Sequence, residues 1–371
     1  MTASKVYFMD MRASYQNSLM SKLSKVMDAG GISEVISERD LVAIKLHFGE
    51  KGNTAFIRPI FLAQVVDKVK AHGGSPFLTD ANTLYAGTRG NSVSHLVTAV
   101  ENGFAYSVVK APLIIADGLR GAAFEAVDVN LDLVKVAYIG KEIHDADAII
   151  GVAHFKGHEV TGFGGTIKNI GMGCASRKGK MDQHSGLSPK VRGKKCIGCG
   201  LCSEHCAHKA ISLKDEKAVI DPALCVGCAE CILICPQGAI DAQWDSDSPR
   251  LQKKMVEYTA AVLNKKKGKA LFINFITSVS PACDCYGHSD APIVRDIGIV
   301  LSKDPVAIDQ ASADLVNGQH ALEGSCLTTG KGPGEDKFKA VYPRIDWSVQ
   351  LDYAQELGLG SRTYDIVSIT K

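Results

Sequence analysis

Eight of the twelve cysteines fall into two copies of one pattern, "CIGCGLCSEHCAHKAI" (196–211) and "CVGCAECILICPQGAI" (225–240), offset by 29 residues. Each copy reads C-x2-C-x2-C-x3-C. Three thiolates at that spacing wrap one face of a cubane, and the fourth reaches the other cluster. The pattern assigns Cys196, Cys199, Cys202 and Cys235 to one [4Fe–4S] cluster, and Cys225, Cys228, Cys231 and Cys206 to a second. Zinc ribbons use two well-separated CxxC pairs, not four cysteines within eleven residues. Gly198, Gly200 and Gly227 let backbone N–H groups approach the sulfurs, and Ile197, Val226, Ile232 and Ile234 exclude water. The first copy has Ala207 where the second has Pro236, which alters a turn and no ligand. Two adjacent clusters make an electron wire, and the partner expected for it is a redox protein such as a ferredoxin or a reductase.

The other cysteines are Cys174, Cys283, Cys285 and Cys326. In "PACDCYGHSD" (281–290) Pro281 and Gly287 mark a turn that converges Cys283 and Cys285. The pair reads as poorly placed for a mutual disulfide and suited to holding a metal or meeting a redox substrate. Cys174 and Cys326 read as small buried hydrophobes, although the basic residues of "GMGCASRKGK" would favour a Cys174 thiolate.

Further reactive side chains sit where strands are expected to end: Lys45 and His47, Asp80 and Asn82, and His154. In open α/β sheets that rim is where ligands bind. His47 alone reads as a structural histidine, and the grouping is what raises it. His154 and His158 are four apart but flank Gly157 after a strand, which argues against a helical two-histidine zinc site. "GFGGTIKNIGMG" (162–173) offers backbone N–H groups for an anion nest with Lys168 as counter-charge. A tight glycine-rich connection explains it equally well, and it is not a Walker A loop, since Asn169 follows Lys168. Arg89 and Lys156 would add positive charge. The candidate site is therefore His47, Asp80, His154, Lys168, Cys283 and Cys285.

The elements that must position these groups alternate. "LVAIKLHF" (41–48) reads as a strand, followed by a helix capped by Asn53 or Thr54 with Pro59 in its first turns. "SPFLTD" is a strand and 92–102 a helix; "PLIIAD", "LVKVAYIG" and "ADAIIGVAHF" are strands. The pattern breaks near Gly186 and returns with a helix at 249–264, strands in "ALFINFITSV" and "DIGIVLS", and a helix in "DPVAIDQASADLV". The fold class is α/β, a mostly parallel sheet interrupted by a ferredoxin-like two-cluster insert. The expected division is 1–187 and 244–371 for the two parts of the α/β domain and 188–243 for the insert.

A hydrophobic share of 46% and a charged share of 22% are those of a globular protein. A formal charge of +2 gives no reason to expect a nucleic-acid partner. No apolar run is long enough to span a bilayer and the first residues do not resemble a signal peptide, so no membrane partner is expected and the cytoplasm is the expected location. No G-x-G-x-x-G follows a strand, so a nicotinamide cofactor is not expected, while flavin and a third metal stay open.

The chain resembles the domain-of-unknown-function 362 family, in its members with an embedded two-cluster ferredoxin segment. The stretches that carry the resemblance are "VAIKLHFGEKGNT", "PFLTDANTLYAGTRGN", "VAHFKGHEVTGFGGTIKNIGMGCASRKGK", both cysteine motifs, "PACDCYGH" and "DIGIVLSKDPVAIDQA". The resemblance implies an iron–sulfur protein of anaerobic-type metabolism with an α/β body, and it supplies no substrate. The expected function is an iron–sulfur oxidoreductase passing electrons between the insert and a small-molecule site in the body. The alternatives are an electron carrier that docks a partner enzyme and a metallocofactor assembly protein.

Overall fold

The computed structural model describes residues 3–369 apart from residue 86, 185–187, residue 207, 226–229 and 242–247. Its centre is a sheet of eight strands: β1 (Ser4–Asp10), β2 (Leu41–Lys45), β3 (Ser75–Asp80), β4 (Leu113–Ile115), β5 (Ala148–His154), β6 (Ala270–Ile276), β7 (Gly298–Ser302) and β8 (Tyr364–Ser368). They lie in the order β8-β1-β7-β6-β5-β2-β3-β4. Every pairing is parallel except those of β7, which runs against both β6 and β1. The α/β class with a mostly parallel sheet follows directly from this pairing.

The central strands are continuous apolar runs because both of their faces are covered. All seven residues of β5 are buried. Neighbouring residues enter opposite cores: Ala43, Ile149 and Phe272 join one cluster, and Val42, Ile150 and Leu271 the other. Helix Ser248–Asn264 contributes Met255, Tyr258 and Val262 to the first, and helix Pro59–Ala71 contributes Leu62, Val65 and Val69 to the second.

Helix Pro59–Ala71 starts at Pro59, a residue pre-set for the first helical position, with Arg58 as its uncapped N-terminal neighbour. The caps expected at Asn53 or Thr54 are absent. Asn53 instead donates through Nδ2 to the carbonyls of Tyr286 and His288, each at 3.1 Å. "LVKVAYIG" forms the expected strand, but outside the main sheet: Val136–Gly140 pairs with Phe124–Asp128 in a separate antiparallel hairpin.

The cysteine-rich segment is held at its base by an antiparallel pair, Lys190 opposite Asp241 and Val191 opposite Ile240. It contains the hairpin Ile211–Lys214 with Lys217–Ile220 and the short helices Leu201–Glu204 and Glu230–Ile234. Its apolar core of Cys202, Ile211, Ala218, Ile232 and Ile240 includes two residues of the α/β body, Leu84 and Met181.

Candidate functional site

Four adjacent parallel strands, β6-β5-β2-β3, end on the same rim of the sheet. That topology brings together residues far apart in sequence. The rim walls a cavity of about 660 Å³, lined among others by Lys45, His47, Asp80, Leu84, His154, Lys168 and Cys285. Lys45 and Asp80, from the ends of β2 and β3, form an ion pair at 3.1 Å with almost no exposed surface. Arg89 adds contacts to Glu50 at 3.2 Å and to Asp80 at 3.5 Å, and donates to the Tyr85 hydroxyl at 2.6 Å. Burial works against the Asp80 charge, but Lys45, His95 and Arg89 outweigh it and hold the carboxyl below its ordinary range. Asp80 is thus fully committed to neighbouring cations.

His154 closes β5 and is equally committed. Its Nδ1 meets both Asp284 oxygens at 2.9 and 3.0 Å, and its Nε2 meets the carbonyls of Thr277 and Ser278 at 2.9 and 3.2 Å. Both ring nitrogens thus face oxygen atoms of the fold. Lys156 adds a contact to Asp284 at 3.2 Å. Burial would raise the Asp284 carboxyl, but His154 and Lys156 reverse that and hold it below the ordinary carboxylate range. The Asp284 carbonyl accepts from the Glu50 N–H at 3.0 Å and the Pro281 carbonyl accepts from the Tyr342 hydroxyl at 2.8 Å, so the Cys-Asp-Cys turn is anchored on several sides.

Within that turn Cys283 and Cys285 are joined as a disulfide. This corrects the expectation of a poor mutual geometry: the turn sets their Cα atoms 5.2 Å apart, inside the range a disulfide accepts. Cys283 is 1% exposed, whereas Cys285 lines the cavity. Lys168 Nζ lies 3.6 Å from Cys283 Sγ.

Three groups of the cavity lining carry donors, His47, His158 and Lys168, and the Nε2 of His158 lies 3.8 Å from a Glu159 carboxylate oxygen. His47 Nδ1 accepts the Gly49 N–H at 3.0 Å, and His158 Nδ1 accepts from Val160 and Thr161 at 3.2 Å each. Burial first, then the surrounding cations, hold both imidazoles well below their ordinary value. Each is a neutral ring whose remaining proton sits on Nε2. Burial, then Lys156, draws the Lys168 ammonium down to about 8, and among the described residues it has no carboxylate within ion-pair distance.

The glycine-rich nest is occupied from within. The Thr166 and Ile167 N–H groups donate to the Asp309 carboxylate at 2.7 and 2.9 Å, and Asn274 adds a third bond at 2.7 Å. A Cβ on Gly165 would stand 2.3 Å from Asp309 Oδ1, so glycine is required there. Burial raises the Asp309 carboxyl to about 6. The anion of this nest is therefore a side chain of the same molecule, and Lys168 turns to the cavity instead.

In the insert, Cys196, Cys199, Cys202 and Cys235 line one pocket, the set that the crossed spacing assigns together. Backbone N–H groups of Ala218, Ala210 and Ala239 point at the sulfurs of Cys196, Cys206 and Cys235 at 3.4, 3.3 and 3.2 Å. Such bonds favour thiolates, and at Cys196 the N–H groups of Ala218 and Gly198 lower the pKa. Ala210 and Ala239 occupy equivalent places in the two repeats. The donor set and its N–H cradle fit a thiolate-held cluster. Cys206, Cys225 and Cys231 are partly buried, and Val226, Gly227 and Cys228 lie outside the described residues. Among the described residues no three His, Cys, Asp or Glu side chains are grouped to hold a single ion. Cys174 is buried, which pushes its thiol up to about 12, whereas Cys326 is exposed, against expectation.

Residues 42–314 match the family described as Domain of unknown function (DUF362). The chain belongs to this family. It also carries a ferredoxin-like segment. It is 40% identical over 53 residues to a ferredoxin-like protein in the nif region of Sinorhizobium fredii, covering 13% of this chain and 83% of that protein. It is 45% identical over 47 residues to ferredoxin Fdx2 of Sorangium cellulosum, covering 11% of this chain and 46% of the relative. It is 44% identical over 46 residues to one component of an ion-translocating oxidoreductase complex of Methanosarcina acetivorans, spanning 12% of this chain and 17% of that protein. Among solved structures, the lactate racemase apoprotein of Thermoanaerobacterium thermosaccharolyticum aligns with a TM-score of 0.41 and 13% identity, over 73% of this chain and 50% of that one. A Thermotoga maritima protein aligns with a TM-score of 0.34 and 12% identity, over 70% and 50%. No helix among the described residues is long and apolar enough to cross a membrane.

Proposed function

We propose that this protein is an iron–sulfur oxidoreductase in which the insert, residues 188–243, exchanges electrons with a small anionic molecule bound in the cavity of the α/β body. The observation that carries this reading is Leu84, which lines the cavity and also belongs to the apolar core around the insert cysteines. Cavity and cluster segment therefore share a wall. Cys196, Cys199, Cys202 and Cys235 would hold one [4Fe–4S] cluster, and Cys225, Cys228, Cys231 and Cys206 a second. Clusters of this type exchange single electrons. Lys168 and His47 touch the ligand, Cys283 and Cys285 present the sulfur pair beside it, and Asp80 and His154 act as positioning residues. The proximate partner is a one-electron donor protein such as a ferredoxin or its reductase.

Anaerobically prepared protein is expected to contain about eight iron and eight acid-labile sulfide per chain. Its reduced visible spectrum should return to the oxidised form on addition of a suitable oxidised anion, and Leu84→Asp should slow that return while keeping the iron. Stoichiometric zinc without sulfide overturns the reading. Reversible reduction with no response to any cavity ligand supports the electron-carrier alternative.

A further inference from the structure

We infer that the Cys283–Cys285 pair is a thiol–disulfide exchange centre whose substrate is a small disulfide bearing carboxylate or phosphate groups. The inference rests on the cavity assigned above and names the substrate class that suits it.

The two sulfurs have different surroundings. Cys285 opens to the cavity, and Cys283 is buried behind it with the Lys168 ammonium at 3.6 Å. An incoming disulfide reaches Cys285 and cannot reach Cys283. Exchange proceeds by thiolate attack, so a thiolate held next to a cation is the competent form. In the reduced state the Cys285 thiolate attacks one sulfur of the substrate, forming a mixed disulfide and releasing the first small thiolate. The Cys283 thiolate, held by Lys168, then attacks Cys285 Sγ and expels the second. Two electrons pass from the dithiol to the substrate, and the intramolecular bond is restored. Two electrons and two protons reset the pair, supplied through the insert in the reading above or by a dithiol reagent in the laboratory.

The preference for an anion comes from the same wall. Lys168 and His47 Nε2 present donors to the cavity, and the carboxylates beside it are committed, Asp284 to His154 and Lys156, Glu50 to Arg89 at 3.2 Å, and Glu159 to the Tyr286 hydroxyl at 3.0 Å with His158 Nε2 at 3.8 Å. The turn is rigidly placed, since Gly157 runs so close beneath it that a Cβ there would lie 2.1 Å from the Pro281 carbonyl oxygen.

The test uses full-length, cluster-containing protein reduced with dithiothreitol, desalted anaerobically and mixed with glutathione disulfide or with neutral bis(2-hydroxyethyl) disulfide. Acid quenching, alkylation and peptide mass analysis then follow residues 283 and 285. Wild type should release two small thiols per chain and close the pair, faster with the anionic probe by about tenfold, the scale of one charge-assisted hydrogen bond. Lys168→Met should lose that preference and Lys168→Arg retain it, with the visible spectrum as the check on folding. Cys283→Ser should trap the mixed disulfide on Cys285. Failure of the reduced pair to exchange with either probe overturns the centre, and equal rates with both probes overturn the anionic class. No electron donor enters this assay, so its failure leaves the electron-transfer reading standing, and failure of that reading leaves this one intact.

Discussion

Asp284 has no exposed surface and bridges His154 and Lys156 from within the Cys-Asp-Cys turn. Removing one member of a buried charge group costs about 3–5 kcal/mol, because the partners stay buried and uncompensated. Asp284→Asn should therefore lower the unfolding free energy by that order in anaerobic urea titration. The pH dependence has a definite sign. The folded carboxyl lies below its ordinary 3.8, so its contribution is complete above that value and fades as pH falls below it. Wild type should lose stability below about pH 4 more steeply than Asp284→Asn. Lys168 gives the opposite kind of titration. Burial and Lys156 bring it to about 8, so the ammonium is charged below that pH and neutral above it. Binding of succinate, which does not titrate there, to the oxidised protein should weaken as pH rises through 8, measured by calorimetry.

At the scale of elements, the strand Lys156–His158 and the cysteine turn are pressed together at Gly157, where a side chain has no room. Overpacking of this kind costs about 1–3 kcal/mol. Gly157→Ala should lower the melting temperature and slow closure of the Cys283–Cys285 pair, read by alkylation. Much of this arrangement was legible in sequence. Short apolar runs ending in Lys45, Asp80 and His154 mark strands whatever their order, and the crossed cysteine spacing requires Cys235 to join Cys196, Cys199 and Cys202. What sequence does not encode locally is direction and distant pairing. The run "DIGIVLS" looks like its neighbours, yet β7 runs against them. The nest at 162–173 shows its N–H groups but not the Asp309 that fills them. Asn53 looks like a helix cap because its true acceptors lie more than two hundred residues away. Leu84, an ordinary apolar residue, carries no signal at all for its place between cavity and insert.

At the scale of the molecule, the sheet order alternates between chain regions on either side of the insert. β1 is separated from β5 by β7 and β6, both of which follow the insert in sequence. Neither flank can complete the sheet alone. Cleavage near residues 187 and 243 should leave 1–187 and 244–371 associated on a sizing column, and a fragment ending at 187 expressed by itself should fail to give a soluble folded monomer. The ladder at the base of the insert bears on the entropy of that assembly. Pairing Ala270 with Ile149 requires the chain to close a long loop, and the contacts Lys190 with Asp241 and Val191 with Ile240 bypass somewhat less than half of it. Closure entropy grows only with the logarithm of length, about 0.6 kcal/mol per doubling. The whole cluster-bearing excursion therefore burdens the closing of the sheet by less than about 0.6 kcal/mol of chain entropy.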